Sequence, residues 1–199
     1  MNNATNKKGK NVICVNGKLS GLKRHSDELN AVIKESLKGA LLSLMEQKPY
    51  DAIKITELCK KAGVSRTAFY GNFSDKDEVL KLIVDELNKE MIFYAGGPFA
   101  QTAELKWYVT LFTLVKERAE ILKLIFRSGF SQKYLILLNE IVLNSSSVLT
   151  PSKKYGRIIW SGGIQNAIAY WLENGLKESV DEMAEYCFNS LVRRTALPV

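Results

Sequence analysis

The sequence predicts an all-α protein. Apolar residues recur at the three-and-four spacing of amphipathic helices through most of the chain, and no stretch alternates with a period of two for long enough to form a strand. Gly, Pro, Asn and Ser clusters punctuate that pattern at helix-length intervals. With 199 residues, 46% of them hydrophobic, the chain holds enough apolar material for one large core or two small ones.

Residues 1–25 carry Lys7, Lys8, Lys10, Lys18, Lys23 and Arg24 and no acid, and are expected to form a basic flexible arm. A first helix then opens at Ser26, with Asp27 and Glu28 in its first turn, and buries Leu29, Val32, Ile33, Leu37, Ala40, Leu41, Leu44 and Met45. Pro49 stops it, because proline has no amide proton and disfavours helix at Lys48. A second short helix runs from a Thr56 cap through Ala62 and is closed by Gly63. The third, from about Arg66 to Asn72, is capped by Ser65. Val64 and Phe69 are spaced as a hydrophobic staple, and Gly71 weakens the far end. So short a helix needs neighbours, which Phe69 and Phe73 contact, leaving Arg66, Thr67, Tyr70 and Asn72 outward. Ser74 and Asp77 form a capping-box-like start to a long fourth helix that ends before Gly96-Gly97-Pro98. Further apolar stripes follow over Leu105–Val115, Ile121–Phe126 and Tyr134–Val142, then a long helix over about 153–173 and a last one over about 179–195.

The net charge of +7 is unevenly placed: residues 1–80 carry +5 and the remainder +2, so a polyanionic partner is expected at the amino-terminal end. His25 is the only histidine and the three cysteines are far apart, so metal sites, His-based triads and disulfide frameworks have little to be built from. Neither a nucleophile–base pairing nor a phosphate loop appears, and no cofactor or enzymatic activity is expected. The sequence carries no signal-peptide pattern and no apolar run of membrane-spanning length, so a cytoplasmic protein with no membrane partner is expected.

The stretch Lys54–Phe73, KITELCKKAGVSRTAFYGNF, has the layout of a helix-turn-helix: a short helix, a glycine-bearing turn, and a second helix with an outward polar face. The guanidinium fork of Arg66 suits the two acceptors of a guanine, and Thr67 offers a hydroxyl and a methyl. Lys76 fits the same reading. In the first turn of a helix an ammonium opposes the macrodipole by roughly 0.3–1 kcal/mol. Beside a duplex, Lys76 and the free N–H groups of that turn can grip one phosphate.

Ala62, Gly63, Val64, Ser65, Phe69, Tyr70, Phe73 and Lys76 follow the pattern A-G-V-S-x-x-x-F/L-Y-x-x-F with a lysine shortly after. On these residues the run from about Leu29 to Glu90 resembles the DNA-binding domain of the TetR family of bacterial transcriptional regulators. The resemblance implies that Tyr70 and Lys76 touch phosphates, that Ser65, Arg66, Thr67 and Asn72 lie at or near bases, and that Lys54 and Thr56 contact the backbone. It departs at Cys59, where the family usually has alanine, and at Gly71. The implied architecture is a three-helix DNA-binding domain over 26–74, joined by the fourth helix to a helical ligand-binding and dimerisation domain over 75–199.

The implied function is a repressor that binds a palindromic double-stranded operator as a homodimer and is released by a small-molecule inducer. The last two helices, about 153–173 and 179–195, would form the dimer contact. Ile158, Ile159, Ile164, Ile168 and Trp171 with Met183, Cys187 and Phe188 exceed what one helix pair can bury, and Gly162 and Gly163 admit a close helix. Trp107, Tyr108, Phe112, Phe126, Phe130, Tyr134 and Trp160 are the candidates for lining a ligand pocket. The competing reading is a helical adaptor that sets its basic half on a non-DNA partner.

Overall fold

The computed structural model describes residues 9–96, 99, 104–144 and 149–193, and every described element is helical. In order these are α1 (Gly9–Met45), a 3₁₀ turn (Tyr50–Ala52), α2 (Ile55–Ala62), α3 (Arg66–Tyr70), α4 (Lys76–Ala95), α5 (Leu105–Glu117), α6 (Ala119–Arg127), α7 (Ser131–Asn144), α8 (Pro151–Glu173) and α9 (Val180–Phe188). A π-helical turn, Asn189–Arg193, continues α9. No described helix is long and apolar enough to cross a membrane.

The helix start expected at Ser26 is corrected: α1 begins at Gly9 and takes in much of the segment expected as an arm, whose first eight residues lie outside the described ones. The physical reason is that Ser-Asp-Glu favours a helix start without preventing a helix from running through it, whereas Pro49, the first proline in the chain, does enforce a stop. Leu37 and Leu41 are fully buried while Leu29 and Val32 remain exposed, so the apolar stripe of α1 is used only in its later turns.

The chain divides into two compact units, one of residues 1–41 with 54–79 and the other of 42–53 with 80–199. The core of the smaller unit is Leu37, Leu41, Leu58, Cys59, Phe69, Phe73 and Val79. In the larger unit α5 packs on α9, and α8 is flanked by α6 and α7. Trp171, Tyr108, Phe112, Ile125 and Val142 are among its most deeply buried side chains. Phe112 meets Trp171 edge-on at 5.5 Å between ring centroids, and Trp160 donates its indole N–H to the Tyr108 hydroxyl at 2.8 Å.

Helix ends follow local chemistry. Thr150 caps α8 with Pro151 at the first position, and Ser179 with Glu182 forms a reciprocal capping box on α9. The single helix expected over 179–195 departs from α-helical pairing at Asn189, and within the π-helical turn the Leu191 side chain lies over Gly163. A β-carbon at Gly163 would fall 2.9 Å from Leu191 Cδ2, so this glycine's close approach is spent within the chain, whereas Gly162 faces open space.

Candidate nucleic-acid interface and interior cavity

The turn between α2 and α3 is built by Gly63. At φ 67° it occupies the left-handed region, and it donates to the Lys60 carbonyl while Val64 donates to the Cys59 carbonyl at 3.0 Å. These are the two bonds of a Schellman motif. One residue on, the Ser65 hydroxyl accepts from the Ala68 amide at 3.1 Å and starts α3. Phe69 on the inner side is fully buried and meets Phe73 at 6.0 Å and Tyr70 edge-on at 5.2 Å. The aromatic anchor thus holds a helix of five residues whose outer side chains, Arg66, Thr67 and Tyr70, are exposed, Tyr70 by 52%.

Lys54 and Thr56 are exposed, but the expected Thr56 cap is corrected. Lys54 is the N-cap residue of α2, with extended backbone and no side-chain cap bond. Thr56 lies inside the first turn, because the chain already turns helical at Ile55. Asn72 differs from the outward placement expected of it. It is half-buried, and its amide donates to the Ala68 carbonyl at 2.9 Å and to Asn30 Oδ1 at 3.4 Å, tying the end of α3 to α1. An amide can satisfy such a carbonyl as readily as a base edge, and nothing in the spacing distinguishes the two uses. Gly71 is the C-cap of α3 rather than an interior residue, which removes the cost expected of it.

The start of α4 is also shifted by one residue. Asp75 caps it, accepting from the Glu78 amide at 2.9 Å, while the Glu78 carboxylate accepts from the Ser74 amide at 2.7 Å. The carboxylate sits one residue closer to the helix than the expected Ser74–Asp77 pair and is the stronger acceptor for a positive helix end. Lys76 is the first residue of α4 and half-buried. Cys59, at the departure from the family pattern, is buried in α2, and burial pushes its thiol up, with the charge of Arg66 opposing.

The larger unit contains two adjoining cavities, of about 70 and about 60 Å³, with Asn88, Met91, Leu111, Tyr134 and Ile168 common to both. Of the aromatics expected to line a pocket, Phe126 and Tyr134 line the first cavity and Trp107, Tyr134 and Trp160 the second. Tyr108, Phe112 and Phe130 line neither. They are core, because their rings are consumed by packing against neighbouring helices, as Tyr108 is against Phe188 at 5.8 Å. Sequence reasoning missed Asn88 and Gln165. The available signal was a polar residue set on an otherwise apolar helical stripe, Asn88 beside Leu87 and Met91 and Gln165 between Ile164 and Ile168.

Residues 39–83 match the family model of bacterial regulatory proteins, tetR family. The matched segment contains the Gly63 turn, α3 and Lys76, the residues on which the motif resemblance was drawn. Among solved structures, the chain is similar to a TetR transcriptional regulator from Streptococcus agalactiae 2603V, with TM-score 0.63 and 16% identity over 85% of this chain and 98% of that one. It is similar to the dihydroxyacetone kinase operon activator DhaS, with TM-score 0.53 and 17% identity over 81% of this chain and 95% of that one. A tetR-family transcriptional regulator from Streptomyces coelicolor gives TM-score 0.53 and 15% identity over 79% and 80%. At these identities the likeness is one of fold. No curated protein matches the chain.

Proposed function

We propose that this chain, whose residues 39–83 match the model of bacterial regulatory proteins of the tetR family, is a cytoplasmic transcriptional regulator that binds a palindromic operator as a homodimer. The observation that carries the reading is α3 itself: a capped five-residue helix, propped from inside by Phe69, that presents Arg66, Thr67 and Tyr70 to solvent. Arg66 and Thr67 sit where the opening residues of a recognition helix meet base edges, and Tyr70 and Lys76 are the phosphate contacts. Ser65, Lys54 and Thr56 complete the contact surface. Asn72, held by Ala68 and Asn30, acts by fixing the end of the helix rather than by reading bases.

Dimerisation is supported by an uncovered face of α8. Tyr155, Ile159 and Tyr170 are each about 70% exposed and, with open Gly162, recur at helical spacing on one side. Burying such a stripe against a second copy is the ordinary way a two-fold contact forms. Repression follows because a dimer seated on its operator excludes other proteins from that DNA, and an inducer bound in the cavity relieves it by favouring an arrangement with the wrong half-site spacing. One similar structure bears the name of an operon activator, so the direction of regulation is part of the test.

Gel-shift titration against the DNA upstream of the chain's own gene, over a salt series, tests the reading. Sequence-preferring shifts that weaken with salt and are lost in Tyr70→Ala are expected. Sequence-blind binding, or none, would return the protein to the adaptor reading. A reporter driven by that upstream DNA should rise when the protein is removed, and a fall would make it an activator.

A further inference from the structure

Resting on the reading of α3 as the helix that meets DNA, we propose that the first turns of α1, from Gly9 to Arg24, make a second and separate contact with the duplex, on phosphates of the DNA flanking each half-site. The carrying observation is the place of a basic stretch in the fold. Lys10, Lys18, Lys23 and Arg24 lie in it, and no acid precedes Asp27. The stretch is helical and continuous with the rest of α1. At Asn30 that same helix meets the reading element, where the Asn72 amide at the end of α3 donates to Asn30 Oδ1 at 3.4 Å. At 1.5 Å per residue, Arg24 stands about 9 Å along the helix from that contact and Gly9 about 30 Å. The basic turns therefore set out from beside α3, next to Tyr70, which is 52% exposed.

Packing and charge both separate this stretch from the unit's core. Leu37, Ala40 and Leu41 are buried in the later turns of α1, whereas every residue from Arg24 to Leu29 is exposed. Asp27 and Glu28 stand within one helical turn of Lys23 and Arg24 and temper their charge, but no acid stands within a turn of Lys10 or Lys18. A basic helix suits any polyanion. Its start at the Asn72 contact favours the duplex, since a helix leaving the end of α3 continues outward from the phosphates that α3 meets. About 30 Å of helix is close to one turn of duplex, so its cations fall beyond the bases that α3 reads. An ammonium grips phosphate as a point charge and carries no sequence information. The contact thus adds affinity and salt dependence without adding base preference.

Fluorescence anisotropy over a salt series tests this, with the full chain and its Lys10→Gln/Lys18→Gln/Lys23→Gln/Arg24→Gln variant on two fragments of the upstream DNA, one trimmed to the half-sites and one with a further helical turn on each side. Each phosphate contact contributes about 0.9 to the slope of log affinity against log salt. Lys10 and Lys18 on two copies make four contacts, so on the long fragment the variant's slope should be shallower by about 3.5 or more, with affinity at low salt at least tenfold weaker. On the trimmed fragment the two proteins should converge, and the ratio of operator to scrambled-sequence affinity should be the same for both. Equal slopes on the long fragment, or a difference of equal size on the trimmed one, would overturn the inference. So would cation-dependent binding to phosphatidylserine vesicles together with an unchanged DNA slope, which would give the stretch to a membrane. The two readings fail separately. Operator preference with equal slopes sinks the flanking contact alone, and sequence-blind binding whose slope still falls in the variant sinks the regulator alone.

Discussion

Phe69 and Tyr70 are neighbours in sequence with opposite fates, one fully buried and one 52% exposed, and the difference separates stability from recognition. Phe69→Ala is expected to cost about 3–5 kcal/mol, since it empties the contact that props α3. Tyr70→Ala should change stability by no more than about 0.5 kcal/mol and yet abolish operator shifts, because an exposed ring contributes little to the fold. Urea unfolding followed by circular dichroism, beside the gel shift, reads both. If Tyr70→Ala unfolds the protein, the division of labour is wrong. Phe69 and Tyr70 were legible from the motif alone. Asn72 was not, because an asparagine after a short helix is equally suited to a base and to a carbonyl, and only the approach of Asn30, distant in sequence, settles its bonds.

At the scale of the element, α3 is too short to persist by propensity and depends on its ends. Ser65→Ala should therefore lower stability by about 1 kcal/mol, visible as a shift in the urea midpoint with unchanged slope. The cap of α9 makes a prediction in pH. The Ser179 amide, and then its hydroxyl, hold the Glu182 carboxyl below its usual range. A carboxyl lowered in the folded state binds fewer protons than it does unfolded. Its stabilisation is thus present above the ordinary carboxylate range and is lost as pH falls through the lowered value. Glu182→Gln should flatten that acid-side loss in a series of thermal melts, and an unchanged slope would mean the carboxylate makes no such contribution. Helix existence was readable from spacing throughout, whereas starts shifted at α1, α2 and α4, since several residues in a row can serve as caps and neighbours choose among them.

For the whole molecule, the exposed stripe on α8 carries the expectation of a dimer. Ile159→Glu puts a charge at the centre of that stripe, and light scattering after gel filtration should show the protein as a monomer with operator binding weakened at least tenfold. A variant that stays dimeric and binds normally would place the contact elsewhere. The helix α4 begins at Lys76, and its later residues Asn88 and Met91 line the cavities of the larger unit.

The order of residues alone determined the helical class, the turn at Gly63, the cap at Ser65, the inward Phe69 and the outward Tyr70, because each depends on bonds and spacings within a few residues. Tertiary structure alone decided which aromatics line a cavity and which are core, that Gly163 is covered by Leu191, that Asn72 is tied to Asn30, and that Asn88, Trp107 and Gln165 line one cavity. Those outcomes turn on contacts between residues far apart in the chain. Helical periodicity reports which side of a helix is apolar but not which neighbour that side will meet.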